Sequence, residues 1–213
     1  MKFDKSSLLL YAVTDRSWCQ NENLVSQTKK ALLGGVTFVQ IREKHISQDE
    51  FYNEAIELKN LCAEFKVPFV VNDDVQLAKK IDADGVHIGQ NDMALLEAKK
   101  VLGPQKIIGV SVQTVSQALL AEKQGATYLG VGSVFNTSSK DDAEKISLET
   151  LKNITSAVKI PVVAIGGINL QNVKELSQSG ICGIAVISAI FAQKDITKST
   201  KDLLCETKKT LKL

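Results

Sequence analysis

The sequence predicts an α/β fold, a single-domain (β/α)8 TIM barrel over residues 1–213. Short apolar runs alternate with segments of helical periodicity along the whole chain, and eight such runs can be counted. Eight parallel strands, each followed by a helix, close into a barrel of this kind. The length of 213 residues lies near the lower end for the fold, so we expect few additions to it.

The predicted strands begin after residues that stop helices, as at Gly34-Gly35 and Pro161. They span residues 8–13, 36–42, 68–72, 84–88, 106–111, 127–132, 161–165 and 183–187. In such barrels the amino ends of the strands serve stability and the carboxyl ends carry the active site. We therefore look for chemistry where each strand ends.

Helical segments lie between the strands. Over residues 49–65, apolar side chains recur at helical spacing and charged side chains occupy the other faces. Residues 116–123 and 169–179 show the same alternation, and residues 194–212 predict an amphipathic helix that closes the barrel. A doubly wound sheet is the main rival, but the sequence lacks the Gly-x-Gly-x-x-Gly turn that usually follows its first strand.

Composition narrows the choice of partners to small molecules. A net charge of +2 gives no reason to expect nucleic acid or an anionic membrane. The first apolar run is too short to span a bilayer and lacks a cleavage site, so we expect a cytoplasmic protein. The cysteines are widely spaced, which indicates reduced thiols and neither a zinc site nor a disulfide framework; they are Cys19, Cys62, Cys182 and Cys205.

The second strand ends in polar groups that share one face. Alternation places Gln40, Arg42 and Lys44 on the same side, each roughly 7 Å from the next. An amide followed by two cations suits a ligand with a heterocyclic or neutral part joined to phosphates. Arg42 is one of two arginines, the other being Arg16, and only guanidinium offers phosphate a planar fork of donors. The alternative is an exposed strand edge whose charged side chains simply cover surface.

Two aspartates follow adjacent strands. Asp73 and Asp92 come after strands three and four, so their carboxylates can converge at the mouth of the barrel. Two protein oxygens, completed by water and diphosphate oxygens, are what Mg²⁺ prefers. Either residue could instead cap a helix, but Asp74 is the better candidate for the cap of the third helix.

The last two strands end in features typical of a phosphate site. Gly166-Gly167 lets the backbone approach an anion closely, and residues 186–189 offer a second set of donors after strand eight. Together they predict a phosphate cup between strands seven and eight. A tight turn without a ligand is the alternative.

The connection after strand six is long and rich in small polar residues. Residues 133–142 have the composition of a mobile lid that carries Lys140 and hydroxyl donors, although a merely disordered loop would have the same composition. Of the two histidines, His87 alternates into strand four and is interpreted as a structural or pocket-wall residue, not as a base. His45 follows the cation strand and is interpreted as solvated.

The motifs taken together resemble the thiamine-phosphate synthase family. The matching strings occur in order from the first strand to the last, at residues 11–15, 39–44, 71–73, 84–93, 108–111, 132–140, 163–169 and 185–190. The resemblance implies a transferase of thiamine biosynthesis that joins an aminopyrimidinylmethyl diphosphate to a thiazole phosphate with Mg²⁺ as cofactor. The products of the reaction are thiamine phosphate and diphosphate. The resemblance leaves the oligomeric state open, including a homodimer.

The resemblance also assigns a role to each site residue. For the first substrate, it implies that Gln40 contacts the pyrimidine and that the diphosphate, with Ser111 beside it, is held by Arg42, Lys44, Asn72 and Lys140. It implies that Mg²⁺ is bound by Asp73 and Asp92. For the second substrate, it implies that Thr137 and Ser139 contact the thiazole and that its phosphate is held by Gly167, Ile187 and Ser188. Arg42, Lys44, Ser111 and Lys140 are the residues expected to act in catalysis.

Two alternatives remain open. A thiazole tautomerase shares the barrel and much of the phosphate cup, but it generally has histidine at the position of Ser133 and lacks the paired aspartates. A barrel that binds thiamine precursors without turnover is the second. The lid also departs from the family pattern, because Ser133 and Asn136 stand where glycine-proline and a further proline are frequent.

Overall fold

Eight parallel strands close into a barrel in the computed structural model, which describes residues 3–19, 22–44, 46–137 and 145–213. The strands are β1 (Leu10–Val13), β2 (Phe38–Ile41), β3 (Phe69–Asn72), β4 (Gly85–Ile88), β5 (Ile107–Val112), β6 (Tyr128–Val131), β7 (Val162–Ile165) and β8 (Gly183–Val186). Each strand pairs with the next in sequence, and β8 pairs with β1 in the register Tyr11 to Ala185. The predicted (β/α)8 barrel is confirmed.

Helices surround the strands. They are α1 (Leu24–Leu33), α2 (Gln48–Glu64), α3 (Val75–Lys80), α4 (Leu95–Leu102), α5 (Val115–Gln124), α6 (Leu148–Ala157), α7 (Ser188–Phe191) and α8 (Ile196–Leu211), with 3-10 helices at Lys5–Leu8, Arg16–Trp18 and Val173–Leu176. The predicted terminal helix is present as α8, which packs against α1. Within the described ranges, no helix is long and apolar enough to cross a membrane.

Side-chain caps explain where several helices begin. Ser47 and Glu50 form a reciprocal capping box at α2, and Thr114 and Gln117 form another at α5. Asp74 caps α3 by accepting a hydrogen bond of 2.8 Å from the backbone N–H of Leu77, as predicted. These caps fix the point at which each chain segment turns away from the barrel mouth.

The helix predicted over residues 169–179 is wrong. Only the 3-10 helix Val173–Leu176 forms there. The side chains of Asn169 and Asn172 compete with helical backbone bonding: both amides donate to the carbonyl of Gly167, and Asn172 also accepts from the N–H of Asn169 at 2.8 Å. The apolar spacing does mark buried positions, since Val173 and Leu176 are fully buried. The first strand is also shorter than predicted, because Leu8 belongs to a 3-10 helix.

The buried side chains form two clusters, one on each side of the strand wall. The larger lies between the strands and the helices, as expected when amphipathic helices cover a barrel. The smaller fills the barrel interior and includes Leu8, Tyr11, Val13, Phe38, Val70, Ile107, Tyr128, Val163, Ala185 and Ile187. The interior is thus packed, and a cavity opens at the carboxyl ends of the strands.

We predict that Asp74→Ala lowers the free energy of unfolding by about 1 kcal/mol, because it removes the cap of α3. Chemical denaturation should show this loss, whereas Gln76→Ala, an exposed change on the same helix, should have an effect near zero. Equal stabilities for the two variants would contradict the capping role.

Candidate active site at the carboxyl ends of the strands

A cavity of about 390 Å³ opens where the strands end. Ten residues that the sequence singled out line it together: Arg42, Lys44, Asn72, Asp73, Asp92, Ser111, Thr137, Gly167, Ile187 and Ser188. The barrel therefore brings together residues that were predicted from the strand ends and that lie as far apart in sequence as the second and last strands. Ser139, Lys140 and His45 lie outside the described residues, so their predicted roles stay predictions.

Gln40 occupies a different place from the other predicted residues. Its side chain lies below the cavity and is 3% exposed. It accepts a hydrogen bond of 3.0 Å from the hydroxyl of Tyr11 and donates one of 2.8 Å to Oδ1 of Asn72. Gln40 thus supports Asn72, which itself lines the cavity.

The two arginines have separate tasks. Arg42 lines the cavity and is 7% exposed; its backbone N–H donates to Oγ1 of Thr14 at 3.0 Å, and its guanidinium lies 3.8 Å from Asp15. Arg16 lies outside the cavity lining and joins Glu43 at 3.1 Å and Glu54 at 2.8 Å. It ties the segment after β1 to the segment that carries Arg42.

Asp73 and Asp92 both line the cavity. Asp73 adopts φ +63°, a left-handed conformation that aspartate tolerates, and its Oδ2 accepts a bond of 2.5 Å from Nδ2 of Asn72. Oδ2 of Asp92 accepts a bond of 2.6 Å from the N–H of Gly89. Each carboxylate is therefore oriented by a neighbour in its own connection.

Two carboxylates make an incomplete oxygen set. Among the described residues, no group of three or more His, Cys, Asp or Glu side chains could hold a metal ion without outside ligands. A partial set fits Mg²⁺, which keeps several waters and is usually bound through one or two carboxylates plus substrate phosphates. It does not fit a structural zinc site, which needs four protein ligands.

The glycine pair after β7 is required by the loop that follows β6. Gly166 has φ +100° and Gly167 has φ +65°, and a Cβ on Gly167 would lie 2.3 Å from the carbonyl oxygen of Asn136. The N–H groups of Val134 and Phe135 donate to Ile165 and Gly166, so this loop lies directly on the glycines. The glycine pair therefore forms a tight turn, and this turn borders the cavity where the phosphate cup was predicted.

A line of buried hydrogen bonds crosses the barrel interior beneath the cavity. Nε2 of His87 lies 2.9 Å from the hydroxyl of Ser111, and Nδ1 lies 3.0 Å from the hydroxyl of Tyr128. The hydroxyl of Tyr128 is 2.9 Å from that of Tyr11, which donates to Gln40. His87 is a wall residue of the cavity, as predicted.

Sequence reasoning missed the part played by the two tyrosines. Tyr11 and Tyr128 were counted only as residues of apolar strands. Strand alternation places them on the inward face, where a buried phenol usually needs a hydrogen-bond partner, and that pattern could have revealed them. Burial away from water raises the pKa of both phenols, so both keep their protons at neutral pH.

Three further polar residues of the cavity had no predicted role. Gln90 and Asn91 follow β4, and Gln113 follows β5. Gln90 donates from Nε2 to the backbone carbonyl of Ser111 at 2.7 Å, which links two neighbouring connections. Their polar character directly after a strand was the available indication.

The closed barrel and the polar cavity at its carboxyl face define a TIM-barrel protein with the layout of an enzyme. A family model described as thiamine monophosphate synthase matches residues 10–190. The chain belongs to this family, whose enzymes serve thiamine biosynthesis, and the family membership predicted from the motifs is confirmed.

Relatives and solved structures agree with the family model. The chain is 48% identical over 200 residues to the thiamine-phosphate synthase of Clostridium acetobutylicum, covering 94% of this chain and 95% of the relative. It is 47% identical over 194 residues to that of Clostridium tetani, covering 91% and 93%. A solved thiamine phosphate pyrophosphorylase from Pyrococcus furiosus has a TM-score of 0.90 at 43% identity, covering 97% of this chain and 98% of that one.

We predict that Gly167→Ala is destabilising for two reasons, a left-handed backbone and a close contact. The first reason alone costs about 1–2 kcal/mol. Gly103→Ala is the matched control, because Gly103 has φ +89° but a Cβ there would meet nothing within 4 Å. Thermal or chemical unfolding should show a clearly larger loss for Gly167→Ala, and equal losses would show that the loop after β6 yields easily.

Proposed function

We propose that the chain is a Mg²⁺-dependent thiamine-phosphate synthase. It transfers the 4-amino-2-methylpyrimidin-5-ylmethyl group from its diphosphate to the ring nitrogen of 4-methyl-5-(2-phosphoethyl)thiazole. The products are thiamine phosphate and diphosphate. The observation that carries the proposal is the arrangement of Arg42, the two cavity aspartates and the Gly166-Gly167 turn around one cavity, in a chain of this family.

The diphosphate end of the first substrate belongs at the β2 and β3 side of the cavity. Arg42 and Lys44 supply positive charge there, and Asn72 supplies an amide. Because Arg42 is 7% exposed, its charge is less screened by solvent than that of a surface lysine. Lys140 would add a further cation, and Gln40 would contact the pyrimidine from below.

Asp73 and Asp92 are the residues that would hold Mg²⁺ at the diphosphate side of the cavity. When bound, the ion supplies positive charge that stabilises the departing diphosphate. The protein's role is to hold both carboxylates in position at the cavity. The hydrogen bonds from Asn72 and from the N–H of Gly89 support this role.

The thiazole phosphate belongs at the opposite side of the cavity, at the ends of β7 and β8. Backbone groups around Gly167 and Ile187 and the hydroxyl of Ser188 would bind its phosphate. Thr137 lines the cavity on this side and, together with Ser139, would contact the ring.

The reaction needs a stabilised leaving group more than it needs a base. The bond between the pyrimidine methylene carbon and the diphosphate oxygen breaks, and the oxygen keeps the electron pair. The electron-rich aminopyrimidine spreads the resulting positive charge, and the thiazole nitrogen then donates its lone pair to the same carbon. The positive charges of Arg42, Lys44 and Lys140 would stabilise the departing diphosphate, and the segment after β6 would exclude water that could trap the cation.

The assay that tests the proposal combines the purified protein, both substrates and Mg²⁺, with the products identified by mass. We expect thiamine phosphate and diphosphate in equal amounts, and no coupling when Mg²⁺ is removed by a chelator. Isomerisation of the thiazole phosphate alone would indicate a tautomerase instead. Binding of both substrates without turnover would indicate a non-catalytic barrel.

We predict that Asp92→Ala lowers turnover at least about tenfold at fixed Mg²⁺ while the fold stays intact, because a lost ligand weakens metal binding. Part of the loss should be recovered at higher Mg²⁺ concentration. Asp74→Ala is the control, since that carboxylate caps α3. Equal loss of turnover in both variants would mean that the metal-binding aspartate is assigned wrongly.

We predict that Arg42→Lys is harmful although it keeps the charge, because an ammonium cannot make a two-pronged contact with phosphate oxygens. The KM for the pyrimidine diphosphate should rise about tenfold or more, as expected for a weakened charged hydrogen bond. The KM for the thiazole phosphate should stay nearly constant. A defect confined to the thiazole phosphate would place Arg42 at the other substrate.

A further inference from the structure

The side-chain hydrogen bonds inside the barrel form one chain that connects Asp73 with Ser111. From the carboxylate of Asp73 the bonds pass through Asn72, Gln40, Tyr11, Tyr128 and His87 to Ser111, with distances of 2.5, 2.8, 3.0, 2.9, 3.0 and 2.9 Å. Both ends of the chain line the cavity. Tyr11 and Tyr128 are 1% and 0% exposed, so water does not reach the middle of it.

The side-chain amide of Asn72 fixes the direction of the first half of the hydrogen-bond chain. Its nitrogen can only donate, and it does so to Oδ2 of Asp73. The amide oxygen of Asn72 then accepts from Nε2 of Gln40. This leaves Oε1 of Gln40 as the acceptor for the hydroxyl of Tyr11.

The same rule continues to the other end. The proton of the Tyr11 hydroxyl is used on Gln40, so in the Tyr11–Tyr128 bond the hydroxyl of Tyr128 donates and that of Tyr11 accepts. The oxygen of Tyr128 then accepts from Nδ1 of His87. A neutral imidazole has a single proton, so its Nε2 accepts from the hydroxyl of Ser111.

We propose that Tyr11, Tyr128 and His87 are positioning residues that carry one hydrogen-bond direction from Asp73 to Ser111. His87 is neutral with its proton on Nδ1, and Ser111 presents its oxygen to the cavity as an acceptor. These hydrogen bonds thereby hold the side-chain amide of Gln40 in one orientation. They also make the Ser111 hydroxyl an acceptor towards the cavity.

Two glycines keep the centre of this chain clear. A Cβ on Gly109 would lie 2.4 Å from the hydroxyl oxygen of Tyr128 and 2.5 Å from Nδ1 of His87, the two atoms of one bond. A Cβ on Gly130 would lie 3.0 Å from Cε1 of His87. Neither glycine has positive φ, so they are required here for space. The strand wall is built around the imidazole and the phenol.

The direction of the chain has a consequence for the ligand, and this step rests on the proposed function. A Ser111 oxygen that faces the cavity as an acceptor suits a ligand N–H group better than a diphosphate oxygen, which also accepts. The amino group of the aminopyrimidine is a donor of the required kind. The direction of these hydrogen bonds therefore favours the pyrimidine end of the first substrate, and not its diphosphate, as the neighbour of Ser111.

The first test is the tautomer of His87, read from the ring nitrogen resonances of ¹⁵N-histidine-labelled protein. The protein has two histidines, so the His45→Gln variant identifies the signals of His87. We expect a protonated Nδ1 and a bare Nε2 in the ligand-free protein at neutral pH. In Tyr128→Phe, which removes the acceptor of Nδ1, the population of this tautomer should fall. A proton on Nε2, a doubly protonated ring or an unchanged tautomer in Tyr128→Phe would each overturn the proposal.

The second test separates positioning from stability. Tyr11→Phe and Tyr128→Phe should each raise the KM for the pyrimidine diphosphate about tenfold, the effect of one lost hydrogen bond, and change the KM for the thiazole phosphate less than about twofold. Tyr52→Phe is the matched control, because Tyr52 lies on α2 outside the interior and packs against Lys80. Equal changes for both substrates, or none, would overturn the proposal.

The two proposals can fail separately. If the unmodified protein shows no synthase turnover, the proposed function is wrong, while the tautomer of His87 still decides whether the hydrogen-bond chain has the stated direction. If turnover is normal but the tautomer is reversed, the function stands and the positioning role is wrong.

Discussion

Everything at the active face depends on the closure of eight strands into a barrel whose interior must be filled by side chains. Alternation turns every second residue inward, and below the cavity those residues have no access to bulk water. Towards the amino ends the interior is apolar, with Phe38 and Val163 packed among their neighbours. Towards the carboxyl ends it becomes polar, and each polar group has to find a partner within the barrel. The residues of the cavity are the uppermost layer of this arrangement.

The sequence revealed most of the site because a strand end is a local feature. A polar residue directly after an apolar run, as at Asp73 or Ser111, can be recognised from its immediate neighbours, and the barrel then brings such residues together. The partnership of Tyr11 with Tyr128 could not be read in this way, because it joins residues 117 positions apart and depends on barrel register. Alternation predicts the face on which Gln40 lies but not its depth, so its hydrogen bonds to Tyr11 and Asn72 could not be predicted either.

Helix prediction failed where side chains compete with the backbone. The apolar spacing over residues 169–179 is satisfied by a 3-10 helix, because Asn169 and Asn172 bond to backbone groups near Gly167. The same asparagines hold the carbonyl of Gly167 outside a regular helix. The local departure from the helical pattern thus occurs at the turn that borders the cavity.

The pairing of β1 with β8 also has a consequence for biosynthesis. The ladder that closes the barrel joins Leu10–Val13 to Gly183–Val186, which is synthesised after all the other strands. Until the last strand leaves the ribosome, one edge of the first strand has no native partner, and its N–H and C=O groups offer a template to other chains. The nascent barrel therefore passes through a period in which this unpaired strand edge exposes it to aggregation.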